Sequence, residues 1–478
     1  MFVAAGSVAS TAPRQHRARP WGWLVVVWLT AFVTSSLAAQ STVPESDSSN
    51  SRLFPSSGSE YDNVISELTD RLADVERKLE QREATDFQAA EKAKQKFVVR
   101  PFGRLHIDTG TFNQDDANRA SVGADAHNGI SIRRARLGVE GEGFDNLFYR
   151  FDVDFVTFDQ STATRPTIFD AYLDVQELPV LGNLRVGHFR EPFSLERLDS
   201  SHDLPFLERS AAVNTLAPFR SVGLMAFDWN VDRTMTWSYG VFDEATNEFG
   251  EDNRDRTGLA GTGRVTWLPF VNDDGSQLIH VGASYSYRKL GNTNRNFASR
   301  PEINLKEGAL LTPSFVDTGL ISVHDYHVAG LEMSSVLGSL SFQGEYVALA
   351  GVQSDNQSLF LQGGYLEVMY WLTGEHRNFN RTQGRYDSVT PKHAFRIGDQ
   401  GDGRWRIGGA WEVACRVSWF DLDHASLHGG RMTNVTCGLN WNYAFRSRVM
   451  LNYIHSFLDR NSLSSNADIF AMRLQYAF

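Results

Sequence analysis

The stretch Trp411-Glu412-Val413-Ala414-Cys415-Arg416-Val417-Ser418-Trp419 alternates between two kinds of side chain. Its first, third, fifth, seventh and ninth positions carry Trp, Val, Cys, Val and Trp, whereas the positions between them carry Glu, Ala, Arg and Ser. A period of two indicates a β-strand with one apolar face. Apolar faces of nine to eleven residues with aromatic ends are typical of strands that cross a lipid bilayer at a tilt.

The same alternation occurs elsewhere between Phe97 and Phe478, notably in residues 147–155, 434–443 and 470–478. A soluble β-protein also alternates, but it hides its apolar face in a core and keeps its polar face outside. Strand length and the aromatic ends favour the membrane alternative. The sequence therefore predicts an all-β protein with a transmembrane antiparallel β-barrel over residues 97–478.

Composition excludes several other classes of protein. The chain has 478 residues, a net charge of −11 and two cysteines. An acidic surface argues against nucleic acid as a partner, because phosphate binding needs basic patches. Two cysteines exclude a disulfide framework. The motifs H-E-x-x-H, G-x-S-x-G and the Walker loop are absent from the sequence, so we expect no enzyme activity, no cofactor and no metal site.

The N-terminus predicts export from the cytoplasm. Arginines precede a short apolar stretch at residues 21–33, and small residues follow it up to Ala39. This order is typical of a secretory signal peptide, which we place at residues 1–39. The Ser-rich residues 40–59 cannot bury a core, so we expect a disordered linker there.

Residues 60–95 follow with a different period. Apolar residues recur at spacings of three and four, as in a heptad seam, at Tyr61, Ile65, Leu68, Leu72, Val75 and Leu79. One interpretation is a short periplasmic coiled coil that joins copies of the chain. The alternative is a single amphipathic helix lying on a larger body.

Several motifs resemble the phosphate-selective porin O and P family over about 380 residues, from Arg100 to Phe478. The stretches that carry the resemblance are Phe102-Gly103-Arg104-Leu105, Ile132-Arg133-Arg134-Ala135, Phe169-Asp170-Ala171, Tyr370-Trp371-Leu372-Thr373-Gly374-Glu375, Gly409-Ala410-Trp411-Glu412, Gly438-Leu439-Asn440-Trp441 and Met472-Arg473-Leu474-Gln475-Tyr476-Ala477-Phe478. The resemblance implies a 16-stranded, trimeric porin of the bacterial outer membrane, in contact with outer-membrane lipid and lipopolysaccharide. It also implies that the barrel-assembly machinery recognises Phe478.

The resemblance further implies a set of residues at the pore constriction. The matching anion-binding positions are Arg100, Arg104, Arg133, Arg134, Arg197, Ser200 and Ser201, and a constriction acid falls at Asp170. This chain departs from the family pattern at Arg136, where the family has an aromatic residue, and at His202, where it has a basic one.

Alternation alone also places arginines in the lumen. Arg134, Arg136 and Glu140 share one strand face, opposite Leu137 and Val139. Lumenal arginines favour anions because each guanidinium carries a permanent charge and five donors. The alternative interpretation is that they pair with lumenal acids and stiffen the barrel, the candidate acids being Glu140, Asp152, Asp154 and Asp170.

Two functions therefore remain open. The first is a diffusion porin selective for anions such as phosphate. The second is a structural outer-membrane anchor that presents a periplasmic coiled coil. A symmetric hairpin around residues 411–441 would in addition place Trp411 opposite Trp441 and Cys415 opposite Cys437, on the lipid side.

Overall fold

The structure is a computed structural model of the chain. It describes residues 66–67, 69–83, 85, 97–156, 166–244, 258–290, 294–307, 309–393, 395 and 408–478. The signal peptide expected at residues 1–39 and the linker expected at residues 40–59 lie outside the described residues.

Strands dominate the described part of the chain. Its elements, in chain order, are α1 (residues 66–67, 69–83 and 85), β1 (Arg100–Gln114), α2 (Asp116–Val122), β2 (Gly129–Gly143), β3 (Leu147–Asp154), β4 (Thr167–Leu178), β5 (Gly182–Arg190), α3 (Leu195–Leu198), α4 (Ala211–Leu216), β6 (Arg220–Trp229), β7 (Met235–Asp243), β8 (Leu259–Val271), β9 (Gln277–Lys289), β10 (Asn294–Ser299), β11 (Lys306–Glu307), β12 (Ala309–Leu310), β13 (Val316–Leu337), β14 (Leu340–Gln353), β15 (Ser358–Trp371), β16 (Asn378–Asn380), β17 (Arg385–Asp387), β18 (Ala410–His424), β19 (Leu427–Ala444), β20 (Ser447–Arg460) and β21 (Leu463–Ala477).

Sixteen strands form an antiparallel barrel, which confirms the predicted fold. These are β1 to β9, β13 to β15 and β18 to β21. The ring closes where the first strand pairs with the last, from Arg104 opposite Ala477 to Gln114 opposite Ala467. Closure leaves no open sheet edge, which a strand structure in lipid requires. The additional strand β10 pairs with β13 beyond the residues that pair with β9.

The predicted alternation of faces is also confirmed. In β18, Val413, Cys415 and Val417 are exposed on the outer wall, where lipid surrounds the barrel. Glu412 and Arg416 occupy the alternate positions of the strand and are buried inside. In a membrane barrel the apolar residues face outward, so the interior takes up the polar residues that a soluble fold would leave on its surface.

The predicted register of the hairpin β18–β19 is confirmed. Trp411 lies opposite Trp441, and their rings stack with centroids 5.6 Å apart. Cys415 lies opposite Cys437, and both cysteines are free and exposed on the outer wall, with their Sγ atoms 3.1 Å apart.

The connections differ between the two ends of the barrel. We call the end that holds Phe478 the turn end, and six of its seven strand connections have two to five residues. The seventh, which we call the turn-end connector, spans residues 372–409 between β15 and β18. At the opposite end, residues 191–219 form a long connection between β5 and β6, which we call the inner loop.

The inner loop folds into the barrel. Four of the six residues of its helix α4 are buried, and they pack in a hydrophobic cluster with Val347 and Leu361 of the wall. The strand β17 of the turn-end connector also lies inside, where Tyr386 packs with Leu195 of the inner loop. The lumen is therefore narrowed from both ends.

The helix predicted from the heptad spacing is present as α1. Leu72, Val75 and Leu79 lie on it with 61%, 56% and 57% of their surface exposed. The described residues show one helix with an unpaired apolar stripe, so its association into a coiled coil stays a prediction. No helix in the described ranges is long and apolar enough to cross a membrane.

We expect Cys415 and Cys437 to form an intrachain disulfide on mild oxidation, because facing residues of adjacent strands bring their sulfurs within reach. The barrel should be treated with copper phenanthroline, unfolded and labelled with a maleimide. Labelling should fall from two thiols per chain to none, without a cross-linked dimer. Cys437→Ser is the control and should keep its remaining thiol. Two labelled thiols after oxidation of the wild-type chain would contradict the expectation.

Candidate functional site

The inner loop is held by hydrogen bonds to a carboxylate of the wall. Ser194 caps α3 by accepting a hydrogen bond from the backbone N–H of Arg197. The backbone N–H groups of Leu195 and Glu196 donate to the carboxylate of Glu345 in β14, at 3.2 and 2.6 Å. A carboxylate at the start of a helical turn satisfies N–H groups that the turn leaves free.

A buried cluster of one arginine and two glutamates joins three segments of the chain. Arg416 of β18 donates to Glu196 of the inner loop at 3.1 Å and to Glu302 at 2.6 Å. Glu302 lies in the connection between β10 and β13, and it also accepts from the backbone N–H of Ala211 at 3.0 Å. All three charged side chains are about 1% exposed. Charges this deeply buried persist only when they are paired.

Three of the predicted site residues meet at one place. Arg104 of β1 points into the lumen, and its guanidinium donates to the hydroxyls of Ser200 and Ser201 at 3.1 and 3.0 Å. Ser200 also contacts Nδ1 of His202 at 2.9 Å. Among the described residues, no carboxylate lies within the 4.0 Å ion-pair distance of Arg104. Arg104 is therefore hydrogen-bonded to hydroxyls without a carboxylate in direct contact, and Asp152 and Asp203 act on its charge from a longer distance.

Arg133 and Arg134 both reach inward although they are neighbours. The pairing of β1 and β2 shifts at His106, which leaves Arg133 without an opposite residue, as in a β-bulge. Arg133 donates to Glu208 of the inner loop at 2.8 and 3.3 Å, and Arg134 donates to the same carboxylate at 3.4 Å. Arg473 adds a third guanidinium at 3.0 Å.

Arg136 and Asp170 belong to a paired layer on the neighbouring wall. Arg136 donates to Asp154 at 2.6 Å and lies over the ring of Phe169 at 3.3 Å. Asp170 accepts two hydrogen bonds from Arg220, at 2.9 and 3.1 Å. The contacts of Arg136 therefore match the alternative interpretation, in which lumenal arginines pair with lumenal acids and stiffen the barrel.

Arg197 and Arg100, the other two arginines predicted for the constriction, lie apart from the contact of Arg104 with Ser200 and Ser201. Arg197 is buried within the inner loop and donates to Pro218, Asn214 and Ala217. Arg100 lies at the turn end of β1, about half exposed, and pairs with Glu142 at 3.3 Å. The structure brings neither of them to the Arg104 contact.

Two further arginines of the constriction donate to backbone carbonyls. Arg190 donates to the carbonyls of Leu198 and Asp199 at 2.5 and 3.2 Å. Arg209 donates to the carbonyls of Glu196 and Asp199 at 2.8 and 2.7 Å. Within the described ranges, neither has a carboxylate at ion-pair distance. The family motifs did not mark these residues.

The surroundings of the inner loop shift the pKa values of its acids in opposite directions. Burial by itself would raise the pKa of the Glu208 carboxyl, but Arg133, Arg134 and Arg473 hold it well below its usual range. Burial raises the pKa of the Asp199 carboxyl to about 6, although Arg377 opposes that rise. Glu208 is therefore a permanent anion, whereas Asp199 changes its charge near pH 6.

The turn-end connector reaches the inner loop at Asp199. The backbone N–H of Tyr386 donates to Oδ1 of Asp199 at 2.8 Å, and Arg377 donates to Oδ2 at 3.4 Å. Arg377 is one of several basic residues in the turn-end connector. Its inward position depends on the contact with Asp199, which is distant in the sequence, so the periodicity of the chain does not predict it.

We expect Arg416→Gln to release the inner loop, because removal of one partner leaves Glu196 and Glu302 buried without a counter-charge. Breaking such a pair costs about 3–5 kcal/mol. Limited proteolysis should produce a new cut within residues 191–219, and single-channel conductance should rise, while the barrel stays folded. Arg431→Gln is the matched control, since Arg431 is 61% exposed. Unchanged proteolysis and conductance would disprove the anchoring role.

The described residues contain no group of three or more His, Cys, Asp or Glu side chains that could hold a metal ion.

Comparison with known proteins identifies relatives of the whole barrel. Porin O of Pseudomonas aeruginosa is 24% identical over 413 residues, which cover 79% of this chain and 87% of that protein. An uncharacterized protein of Caulobacter vibrioides is 25% identical over 368 residues, covering 73% and 67% of the two chains.

Among solved structures, an anion-selective porin from Comamonas acidovorans aligns with a TM-score of 0.48 and 12% identity, over 80% of this chain and 100% of that one. The family model of phosphate-selective porin O and P matches residues 99–478. The chain belongs to this family, and it is an outer-membrane porin and not an enzyme.

Proposed function

We propose that this porin prefers anions, and that phosphate or a similar oxyanion is its solute. The observation that carries the proposal is the contact of Arg104 with Ser200 and Ser201. A guanidinium without a carboxylate, next to two hydroxyls, offers charge and donors to an oxyanion. The family description supports the same class of solute.

The balance of charge at the constriction supports the proposal further. Arg104, Arg190 and Arg209 bind hydroxyls and carbonyls, whereas Glu208 and Asp170 are each held by two or more arginines. In the described part of the chain, these three arginines add positive charge that no carboxylate at ion-pair distance offsets. The net charge of −11 for the whole chain matters less, because rings of charge at the narrowest point determine ion selectivity.

One fixed charge at the constriction has a measurable effect. At about 5 Å from a permeating ion it contributes about 1 kcal/mol at the dielectric constant of water and about 3 kcal/mol at an effective value of 20. Each 1.4 kcal/mol corresponds to about tenfold in an equilibrium constant. Removal of Arg104 should therefore change selectivity severalfold.

We expect Arg104→Gln to lower the chloride-to-potassium permeability ratio severalfold and to weaken the block of chloride current by phosphate. Glu208→Gln should raise the ratio, because it releases three guanidiniums from their shared carboxylate. Reversal potentials in asymmetric salt across a planar bilayer measure both effects. Arg431→Gln, on the exposed surface, is the control. A cation-selective wild-type channel would refute the proposal, and a channel without conductance would favour the structural anchor.

The predicted pair Arg133 and Arg134 takes a secondary role in this proposal. Both are bound to Glu208, so their joint replacement by Ala removes two positive charges but frees much of one negative charge. The double variant should therefore lose part of its anion preference. The loss per removed positive charge should be smaller than the loss caused by Arg104→Gln. Asp170 is in turn compensated by Arg220 and Arg150.

We propose that export removes residues 1–39 and that residues 40–59 link the mature N-terminus to α1 in the periplasm. Three copies of α1 would associate through their apolar stripes in a homotrimer of barrels. Phe478 is exposed on the outer wall and exchanges backbone hydrogen bonds with Gly103, and we propose it as the residue that the barrel-assembly machinery recognises. Outer-membrane lipid and lipopolysaccharide surround the barrel.

We expect Leu72→Lys combined with Leu79→Lys to separate the helices while the barrels still fold. About three heptads are marginal alone, so association relies on the high local concentration that tethering provides. Cross-linking through α1 should fall strongly in the double variant. Glu76→Lys, on a charged position of the same helix, is the control. Cross-linking that is equal in the double variant and the wild type would rule out association through this stripe.

A further inference from the structure

A groove lies on the outer wall of the barrel over strands β5 to β9. Its volume is about 790 Å³, which falls within the range of about 300–1,000 Å³ that is typical of small-molecule sites. Outward-facing apolar and aromatic side chains line it, and most of them are about half exposed. They include Leu184, Leu224, Tyr239, Val241, Val265 and Tyr285.

The polar residues of the lining do not turn their side chains into the groove. They occupy the alternate positions of their strands, where side chains face the lumen, and they are Ser238, Thr262, Arg264 and Ser284. The surface that the groove presents outward is therefore apolar.

Two glycines of β8 form the floor of the groove. Gly261 and Gly263 occupy outward positions, and Val241 and Tyr239 of β7 lie opposite them. A Cβ atom at Gly261 would meet no atom within 4 Å, and at Gly263 the nearest atom would lie 3.5 Å away. Neither glycine has a positive φ, so the backbone does not require glycine here. Glycine inside a strand often marks a place where another group approaches closely.

The width of the groove fits one hydrocarbon chain. Tyr239 and Tyr285 lie one strand to either side of Gly263. Neighbouring strands are about 4.8 Å apart, so these two tyrosines are about 10 Å apart across the glycine. A narrow, flexible chain can lie on the floor between them, whereas the broad wall of another barrel cannot reach it.

The surroundings of the groove require an apolar occupant. Lipid tails are as apolar as leucine, so association within a bilayer depends on van der Waals packing. An unfilled groove forfeits those contacts, because its lining has no partner atoms on the open side. An acyl chain of a lipid supplies them.

The turn end next to the groove carries charges of both signs. The β6–β7 turn joins two of the groove strands, and its Asp232 and Arg233 are exposed. Arg381 of the turn-end connector donates to the carbonyl of Arg233 at 3.1 Å. In the part of the chain that the structure describes, neither arginine has a carboxylate at ion-pair distance. The β8–β9 turn adds two exposed acids, Asp273 and Asp274.

This mixture of charges fits a zwitterionic headgroup, since guanidiniums bind a phosphate and carboxylates attract an ammonium group. At the loop end of the same wall, Asp325 lies opposite Lys289, and Asp243 lies two strands away in the same row. Acids at both ends disfavour a headgroup that carries only negative charge, such as that of lipopolysaccharide. The short turns of outer-membrane barrels face the periplasm, which selects the periplasmic leaflet.

We propose that this groove binds one phospholipid of the periplasmic leaflet, with an acyl chain on Gly261 and Gly263 and a zwitterionic headgroup at the β6–β7 turn. Arg233 and Arg381 hold the phosphate. The site lies on the outer wall and not in the lumen, so the proposal goes beyond transport and does not depend on which ions the pore prefers.

Native mass spectrometry of the complete barrel with phosphatidylethanolamine tests this site. The wild type should keep one lipid per chain after the detergent is stripped. Gly261→Leu combined with Gly263→Leu fills the groove, and the fraction of chains with a bound lipid should fall severalfold. Arg233→Gln should lower this fraction less, because only a headgroup contact is lost. Ala329→Leu is the matched control, since it adds the same bulk to the outer wall outside the groove, and it should keep the lipid.

Three results would overturn the proposal. The first is equal lipid retention in the double variant and the wild type, which would mean that the outer wall holds lipid without a defined site. The second is preferential retention of lipopolysaccharide from a mixture of the two lipids. The third is a wild type that keeps no lipid while the double variant loses its oligomeric state, which would mean that a second copy of the chain covers the groove.

Fluorescence quenching gives a second measurement that leaves both glycines unchanged. Trp237 lines the groove, whereas Trp411 lies on β18 outside it. Comparison of the wild type with Trp237→Phe and with Trp411→Phe isolates the emission of each indole. Phosphatidylethanolamine with brominated acyl chains, added to bilayers of phosphatidylglycerol, should quench Trp237 at a lower lipid fraction than Trp411, because a bound chain is enriched in the groove. Equal quenching of the two indoles would overturn the proposal.

Discussion

The pairing of β1 with β21 is the constraint on which the rest of this structure depends. Hydrocarbon offers no hydrogen-bond partner to a backbone N–H or C=O, so a sheet in a membrane must close on itself. Closure by sixteen strands then fixes two faces for every strand. The outer face must be apolar, and the polar residues have only the interior to occupy. The lumen is therefore crowded with ionisable groups, and their pairing determines which charges remain to act on a solute.

That pairing separates arginines that look equivalent in the sequence. Arg133, Arg134 and Arg136 lie within four residues of each other, yet Arg136 is paired with Asp154 of the wall, whereas Arg133 and Arg134 share the one carboxylate of Glu208. Arg104 lies on the neighbouring strand and meets only hydroxyls. A positive residue in a pore is thus not by itself a selectivity residue. The relevant quantity is the charge that remains after the nearest acids are counted, because opposite charges at short distance cancel each other's field on a passing ion.

Local pattern was sufficient to predict strands at residues 147–155, 411–419, 434–443 and 470–478, their inner and outer faces and the register of β18 against β19. These features depend on the period of two and on a short hairpin, and both are visible in neighbouring residues. The contacts of the site were not predictable in this way. Glu208 lies 75 residues from Arg133 and 265 residues from Arg473 in the chain. The resemblance named Arg104, Ser200 and Ser201 among the residues of one constriction, and the structure brings these three into contact. Resemblance to a family can carry such tertiary information, which periodicity lacks.

The constriction is built by two segments that enter from opposite ends of the barrel. The inner loop and the turn-end connector meet at Asp199, whose carboxylate accepts from Tyr386 and Arg377 and whose carbonyl accepts from Arg190 and Arg209. Each of these segments also binds the wall. Arg416 of the wall donates to Glu196 of the inner loop, and Gln343 of the wall accepts a hydrogen bond from Arg377 of the turn-end connector. A substitution at a wall residue that does not face the pore can therefore still change the pore, because it displaces a segment that lines the constriction. Arg190 and Arg209 are held by backbone carbonyls, which fix their position but leave their charge in place, and this combination of rigidity and retained charge is what the proposed preference for anions requires.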